Sequence, residues 1–303
     1  MRRNLIVFIF LLLAYATGAV TQAGGRTLPP EKTPAAPGAT TAVYLPIVAS
    51  PPPPLVADQR PGPEVCLSWP AGNTVERAMN EFQAQFYYHS SSYSQKRPEA
   101  LPMLRAPERN PIYWSIVSAE LYWRQYEGLA LLFNEPDLQD QDGPLSPDDA
   151  AALYRLAIRT HPQAVWVTPN AISLDYLRRF LTAVGDDWRP QDRVGIHIYQ
   201  TNGGYAVSRW PGEWIAEARQ IVEASAAAGA ALWVSEVGPS NDWPMADLMR
   251  YYEELLNAPG IEVVCVFTTS VGNQHWHASK RVFYDADGNL TPSGEAFLIT
   301  LRQ

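Results

Sequence analysis

The fold is decided by the apolar run Leu129-Ala130-Leu131-Leu132-Phe133, which passes at once into Asn134-Glu135-Pro136. A short apolar run that stops at polar residues is typical of a parallel strand buried on both faces. A second such run, Leu232-Trp233-Val234-Ser235, passes into Glu236. Because helical patterns flank both runs, the sequence predicts a parallel sheet wound with helices.

Six further short runs, rich in β-branched or aromatic residues, continue this alternation along the chain. The eight predicted strands lie near residues 64–69, 83–89, 99–105, 128–134, 164–169, 193–199, 231–237 and 262–269. Helices are predicted near residues 72–82, 111–127, 146–161, 172–185, 211–229, 242–258 and 292–303, with at most a turn or two at 90–98. Eight strands close a (β/α)8 TIM barrel, so we expect a compact α/β barrel with a shortened second helix. The alternative, an open doubly wound sheet, usually carries a glycine-rich phosphate loop after its first strand, and this sequence has none.

The residues before the barrel have a different composition. Arg2 and Arg3 precede the sixteen-residue apolar run Leu5 to Val20, and small residues follow up to Ala23. This run is short for a membrane span, so we predict a signal peptide over residues 1–23, with an uncleaved N-terminal anchor as the alternative. Eleven of the 27 prolines lie in residues 24–63, which predicts a Pro-rich linker over 24–62 and a barrel domain over 63–303. We therefore expect a secreted or cell-surface protein.

The charge balance restricts the partners. Residues 63–303 carry 18 basic and 29 acidic side chains, a balance of −11. Such a surface repels nucleic acid and anionic lipid headgroups, so we expect no nucleic-acid partner and membrane contact only through an uncleaved anchor. We expect a monomer that needs no cofactor.

The two cysteines, Cys66 and Cys265, fall in the first and last predicted strands, which are neighbours in a closed barrel. Export would permit their oxidation. A bridge between adjacent parallel strands has awkward geometry, however, so we expect two free buried thiols and keep a disulfide as the alternative.

Two carboxylates, Glu135 and Glu236, end the fourth and seventh predicted strands, at the rim where barrels carry their active sites. Glycoside hydrolysis needs such a pair, because one carboxylic acid protonates the departing oxygen while the other carboxylate attacks the anomeric carbon. In retaining enzymes the two carboxyl groups lie about 5 to 5.5 Å apart. The alternative is a pair of unrelated strand-end salt bridges.

Asn134-Glu135 after one strand and Glu236 after another resemble clan A of the glycoside hydrolases. The resemblance implies that Asn134 contacts the sugar 2-hydroxyl, that Glu135 is the acid/base and that Glu236 is the nucleophile of a retaining enzyme.

Within that clan the sequence is most similar to glycoside hydrolase family 128, compact barrels active on β-1,3-glucan. The similarity is carried by Phe86-Tyr87-Tyr88, Pro102-Met103-Leu104, residues 132–138 and 146–151, His197-Ile198-Tyr199 and residues 233–236. The sequence departs from that family where it usually has tryptophan, and has here His89 or Ser90, Arg105, Ile198, and Thr268 or Thr269. The sugar-binding surface is therefore expected to differ.

Further candidate site residues lie near the same rim. His197 and Tyr199 share one face of their strand by alternation, so Tyr199 could bond Glu236, and His197 could bond a sugar hydroxyl or orient a carboxylate. Tyr88, Trp69 and Trp276 are candidate sugar contacts, and Trp276 could instead pack under its own loop. No HExxH or Cys/His ligand pattern is present, so no metal site is expected.

These observations predict a retaining glycosidase that cleaves a β-linked polysaccharide, with β-1,3-glucan favoured by the family resemblance. A surface carbohydrate-binding barrel with weak or no catalysis is the alternative.

Overall fold

The structure is a computed structural model that describes residues 62–70, 75–88, 99–107, 114, 117–118, 121, 125–139, 141–199, 210–267, 282–285 and 287–303. The predicted signal peptide, the linker up to residue 61 and the shortened second helix at residues 90–98 lie outside these ranges.

All described strands belong to one parallel sheet. They are β1 Glu64–Ser68, β2 Phe86–Tyr88, β3 Ala100–Leu101, β4 Met103–Leu104, β5 Leu129–Leu132, β6 Val165–Ala171, β7 Arg193–Ile198, β8 Leu232–Val237 and β9 Ile261–Phe267. The order across the sheet is β3-β2-β1-β9-β8-β7-β6-β5-β4, with every neighbouring pair parallel. Each run that was predicted as a strand overlaps at least one of them.

The two ends of this sheet are separated in the chain by one residue, Pro102. β3 pairs with β2, whereas β4 pairs with β5. Because proline has no backbone N–H to donate, it interrupts the strand predicted at residues 99–105. The carbonyl of Pro102 still accepts a hydrogen bond from the N–H of Leu131 at 2.9 Å. The sheet is therefore a nearly closed barrel of nine strands, where eight were predicted.

Helices alternate with the strands. They are α1 Val75–Glu81, α2 Pro147–Thr160, α3 Leu174–Val184, α4 Pro211–Glu223, α5 Met245–Leu256 and α6 Pro292–Leu301. Side-chain caps fix the starts of α2, α3 and α6, where Ser146, Ser173 and Thr291 accept backbone N–H groups. Of the helix predicted at residues 111–127, Trp114, Val117, Ser118 and Leu121 are described as helical. Within the described ranges no helix combines the length and apolar composition that a membrane span requires.

Two apolar clusters stabilise the barrel. The larger one contains the strand residues that pack against the helices, and the smaller one contains strand side chains of alternate register, such as Phe86, Met103, Leu131 and Trp233. Since side chains alternate along a strand, the smaller cluster fills the barrel interior.

Cys66 and Cys265 belong to this interior cluster and form a disulfide. The expectation of two free thiols is therefore wrong. The two residues are direct partners in the β1–β9 register, with their Cα atoms 4.2 Å apart. Because partners in parallel register point their Cβ atoms to the same face, both sulfurs lie together inside the barrel.

Candidate active site

The carboxyl ends of all the parallel strands meet at one rim, and the predicted site residues lie there. Trp69 follows β1, Tyr88 ends β2, Asn134 and Glu135 follow β5, His197 and Tyr199 lie at the end of β7, and Glu236 lies near the end of β8. Trp276 lies outside the described residues. Barrel enzymes build their active sites at this rim.

Glu236 is 5% exposed and accepts three side-chain hydrogen bonds. The indole N–H of Trp69 donates to its Oε2 at 2.8 Å, and the hydroxyl of Tyr88 donates to the same atom at 3.2 Å. The hydroxyl of Tyr199 donates to Oε1. Donors that point at a carboxylate stabilise its ionised form.

Glu135 is 7% exposed and faces the imidazole of His197, whose Nδ1 lies 3.0 Å from Oε1 of Glu135. His197 is also the register partner of Glu236 across the β7–β8 ladder. One ligating atom from each of Glu135, His197 and Glu236 lies within 4.8 Å of the other two. Two carboxyl groups from separate strands therefore converge on one small volume.

The charges in this cluster act on the pKa values of His197 and Glu236. Burial alone would lower the pKa of His197, but the negative charges of Glu236 and Glu135 outweigh it and raise the pKa. Burial raises the pKa of Glu236, and the positive charge of His197 and the donors on the carboxylate oppose this increase. Burial beside Glu236 raises the pKa values of Tyr88 and Tyr199 well above the ordinary value, so both hydroxyls stay protonated donors.

Asn134 is held by a polar network on the β5 side of the rim. Asp142, which is 1% exposed, accepts a hydrogen bond from the Asn134 N–H at 2.7 Å and pairs with the guanidinium of Arg105 at 2.6 Å. The amide Nδ2 of Asn134 donates to Gln141 at 3.1 Å. Its Oδ1 is buried without a hydrogen-bond partner in the part of the chain that the structure describes. Asn134 thus retains a free acceptor.

Two of the aromatic side chains predicted as sugar contacts, Tyr88 and Trp69, hydrogen-bond Glu236. Tyr88 has no exposed surface, and its single hydroxyl hydrogen is shared between Glu236 and the carbonyl of Ser235. A sugar therefore cannot stack on the ring of Tyr88. Trp69 is only partly buried, and its indole N–H is engaged by Glu236.

Sequence reasoning missed Asn170, Gln141 and Asp142. Asn170 has no exposed surface, and its backbone carbonyl accepts the N–H of Glu135 at 3.1 Å. A signal was present, because Asn170 follows a predicted strand directly and polar residues at that place face the rim. Asp137 accepts the N–H groups of Ile172 and Ser173 at 3.3 and 2.7 Å.

Glu135, His197 and Glu236 are also a donor set that a divalent cation could use, since carboxylates and imidazole ligate such ions. In the structure Nδ1 of His197 is engaged by Glu135, while Nε2 has no hydrogen-bond partner among the described residues. The same three residues therefore fit both acid–base chemistry and cation binding. A chelator distinguishes the two possibilities, because it would inhibit the protein only if a bound cation is needed.

The comparisons with known proteins agree with this arrangement. Residues 67–297 match the family model described as "Glycosyl hydrolase catalytic core". A comparison with curated proteins found no match.

Among solved structures, the chain is similar to three glucanases of glycoside hydrolase family 128. An endo-β-1,3-glucanase of subgroup I from Amycolatopsis mediterranei, solved with laminaritriose, has 18% identity and a TM-score of 0.57 over 79% of this chain and 100% of that one. An endo-β-1,3-glucanase of subgroup II from Sorangium cellulosum has 19% identity and a TM-score of 0.54 over 78% and 97%. An exo-β-1,3-glucanase of subgroup VI from Aureobasidium namibiae has 17% identity and a TM-score of 0.55 over 78% and 96%.

A nearly closed parallel barrel with two converging rim carboxylates has the architecture of a barrel enzyme. Because the family model covers most of the chain, the protein belongs to the glycosyl hydrolase catalytic core family and is a glycosidase.

Proposed function

We propose that the protein is a retaining β-1,3-glucan hydrolase of family 128 and clan A, with Glu135 as acid/base and Glu236 as nucleophile. The observation that carries this proposal is the convergence of Glu135 and Glu236 within 4.8 Å. An approach of these carboxylate oxygens is compatible with direct attack by a carboxylate, for which the two carboxyl groups lie about 5 to 5.5 Å apart.

The contacts of the two carboxyl groups support different roles for them. Glu236 accepts hydrogen bonds from Trp69, Tyr88 and Tyr199, which favour the ionised form that a nucleophile needs. Glu135 faces only one side-chain donor among the described contacts, His197, whose imidazole can exchange a proton with it. Glu135 thus has fewer hydrogen bonds that favour its ionised form, which suits a group that must first donate a proton.

In the first step Glu135 donates its proton to the glycosidic oxygen while a carboxylate oxygen of Glu236 bonds to the anomeric carbon, and the bond from that carbon to the leaving oxygen breaks. In the second step Glu135, now ionised, takes a proton from water. The water oxygen bonds to the anomeric carbon, the ester to Glu236 breaks, and the sugar leaves with its original configuration.

The substrate class rests on the solved neighbours, which are named as β-1,3-glucanases and include complexes with laminari-oligosaccharides. The charge of the site agrees with an uncharged glucan, since the ionised Glu236 would repel an acidic polysaccharide. Oδ1 of Asn134, which has no hydrogen-bond partner among the described residues, suits a sugar hydroxyl.

The proposal also includes the number of strands in the barrel, the export of the chain and its oligomeric state. β3 and β4 are the two halves of one strand broken at Pro102, so that the barrel is an eight-stranded (β/α)8 TIM barrel. The chain is exported by its N-terminal segment and acts as a monomer, in secreted form or at the cell surface.

The test is release of reducing sugar from laminarin, curdlan, mixed-linkage glucan, xylan and mannan by the wild type, Glu236→Gln and Glu262→Gln. Glu262 is a matched control, because it lies on β9 at the opposite end of the barrel and bonds Trp233 and Arg193. We expect release from the β-1,3-glucans, at least about 10³-fold less with Glu236→Gln and little change with Glu262→Gln. Proton NMR of the first product should detect the β-anomer.

Three outcomes would contradict the proposal. A first product with the α-configuration would show that the enzyme inverts the configuration and does not retain it. Release that a chelator abolishes and added metal restores would assign the three residues to a cation. Binding of laminarin without release by a folded wild type would identify a carbohydrate-binding barrel.

A further inference from the structure

The chain segment that carries Glu135 has an unusual backbone. Phe133 and Glu135 both have positive φ angles, 70° and 49°. A residue with a side chain in this region costs roughly 1 to 2 kcal/mol, so neighbouring structure must hold the segment in place. The direction of the Glu135 side chain depends on these two backbone angles.

Asn170 supplies contacts on both sides of this segment. Its amide Nδ2 donates to the carbonyl of Leu132 at 3.0 Å and to that of Phe133 at 3.3 Å. Its own backbone carbonyl accepts the N–H of Glu135 at 3.1 Å. Asn170 thus forms hydrogen bonds with Leu132, Phe133 and Glu135, which span the segment that has the positive φ angles.

Asn170 is in turn firmly placed. It lies at a register shift between Pro169 and Ala171, where β6 departs from regular pairing with β7. Its φ of 56° suits asparagine, one of the few residue types that adopt this region readily. Nδ2 also lies 2.9 Å from the carbonyl oxygen of Val167, so its two N–H groups are shared among three carbonyl oxygens.

Gly195 on β7 makes room for the Asn170 side chain. A Cβ atom added at Gly195 would lie 2.0 Å from Oδ1 and 2.9 Å from Cγ of Asn170. The amide therefore packs against bare backbone, and any other residue at position 195 would displace it. This supplies a second, independent way to perturb the contact.

We propose that Asn170 is the positioning residue for Glu135, and that it fixes the direction from which Glu135 delivers its proton. The proposal rests on the acid/base role proposed for Glu135. It does not require Asn170 to touch the substrate.

The test uses a chemical difference between substrates. A laminari-oligosaccharide has a poor leaving group that needs protonation, whereas a 2,4-dinitrophenyl β-laminaribioside has a leaving group that departs without an acid. A defect in proton delivery therefore lowers kcat/KM for the first substrate and spares the second. A general loss of structure lowers both.

The principal variant is Asn170→Gly, because glycine tolerates the positive φ and removes only the side-chain bonds. General acid catalysis contributes roughly 10²- to 10⁴-fold, so we expect kcat/KM for the oligosaccharide to fall at least about 50-fold and that for the aryl glycoside less than about fivefold. Gly195→Ala should change the two substrates in the same unequal way.

Glu135→Ala is measured on the same pair of substrates. Unequal losses for Glu135→Ala together with equal or negligible losses for Asn170→Gly would overturn the inference alone. Equal losses for Glu135→Ala would overturn the acid role and the inference with it. If Asn170→Gly does not fold, Asn170→Asp provides the comparison, since it keeps the size and backbone preference but loses the donor. Equal losses in that variant would also overturn the inference.

Discussion

Nδ1 of His197 lies 3.0 Å from Oε1 of Glu135, and both side chains are almost fully removed from solvent. The imidazole also neighbours Glu236 across the β7–β8 ladder. One imidazole therefore lies against both carboxyl groups, and its charge opposes the increase that burial causes in the pKa of Glu236.

This relationship predicts the effect of His197→Gln on pH dependence. The positive charge of His197 opposes the increase that burial causes in the pKa of Glu236, so its removal should raise that pKa further. Because the nucleophile must be ionised, activity is lost as the pH falls through this pKa. The acid limb of the kcat/KM profile should move to higher pH, and an unmoved limb would show that His197 carries no charge in the free enzyme.

The hydroxyl of Tyr199 should contribute to catalysis through Glu236. Tyr199→Phe removes one donor to the carboxylate, and hydrogen bonds to charged groups contribute about 1.5 to 3 kcal/mol, so we expect kcat/KM to fall about 10- to 100-fold. Tyr252→Phe is the control, since that buried hydroxyl bonds Ser293 at 2.5 Å, away from the carboxylates. Equal losses in the two variants would contradict the prediction.

Glu236 should reduce the stability of the fold at neutral pH. Its pKa is raised in the folded protein by burial, so ionisation penalises the folded state as the pH rises through that value. Glu236→Gln should therefore have a higher melting temperature than the wild type at neutral pH, and the difference should shrink towards pH 4.5, the ordinary pKa of glutamate. A variant less stable than the wild type at neutral pH would contradict this prediction.

His161 should make the fold less stable in acid, and this effect should be independent of the active site. Burial lowers its pKa from 6.5 to about 4, and Ser118 lies 3.0 Å from its Nε2. As the pH falls from 6.5 towards 4, the unfolded chain gains the proton first, so the free energy of unfolding should decrease by about 2 to 3 kcal/mol. Denaturant titrations of His161→Gln should show a flatter dependence over this interval, and identical curves would assign the acid sensitivity to other groups.

The disulfide between Cys66 and Cys265 joins residues 199 apart in sequence. A bridge that closes so long a loop restricts the unfolded chain, so the double variant Cys66→Ala/Cys265→Ala should lose about 3 to 5 kcal/mol of unfolding free energy. Urea titration measures this loss. Thiol titration of the denatured, unreduced wild type should detect no free cysteine, and two free thiols would contradict the bridge.

The order of strands and helices could be predicted from the sequence because each element carries a local signal, its apolar run or its helical period. The interruption at Pro102 could not, since its effect depends on which strands lie on either side of residues 99–105 in the closed sheet. For the same reason the exact register of Cys66 with Cys265 became evident only in the structure.

The position of Glu135 and Glu236 at one rim followed from their places at strand ends. The role of Asn170 did not, because it depends on an irregularity in β6 and on the missing side chain of Gly195. Tyr88 was expected near a sugar for its aromatic ring, whereas its hydroxyl is what reaches Glu236. Whether the ring or the hydroxyl of a tyrosine makes the functional contact depends on how the side chain is buried. Burial is a property of the assembled barrel.

The donors to Glu236 come from distant parts of the chain, since Trp69 follows β1 and Tyr199 follows β7. During synthesis the β1 segment leaves the ribosome before β8 does. The hydrogen bonds to Glu236 can therefore form only after β8 has been synthesised. A refolding chain should therefore recover its helical circular dichroism before it recovers turnover. The first appearance of product would mark the time at which β1 and β8 have come together in the folded barrel.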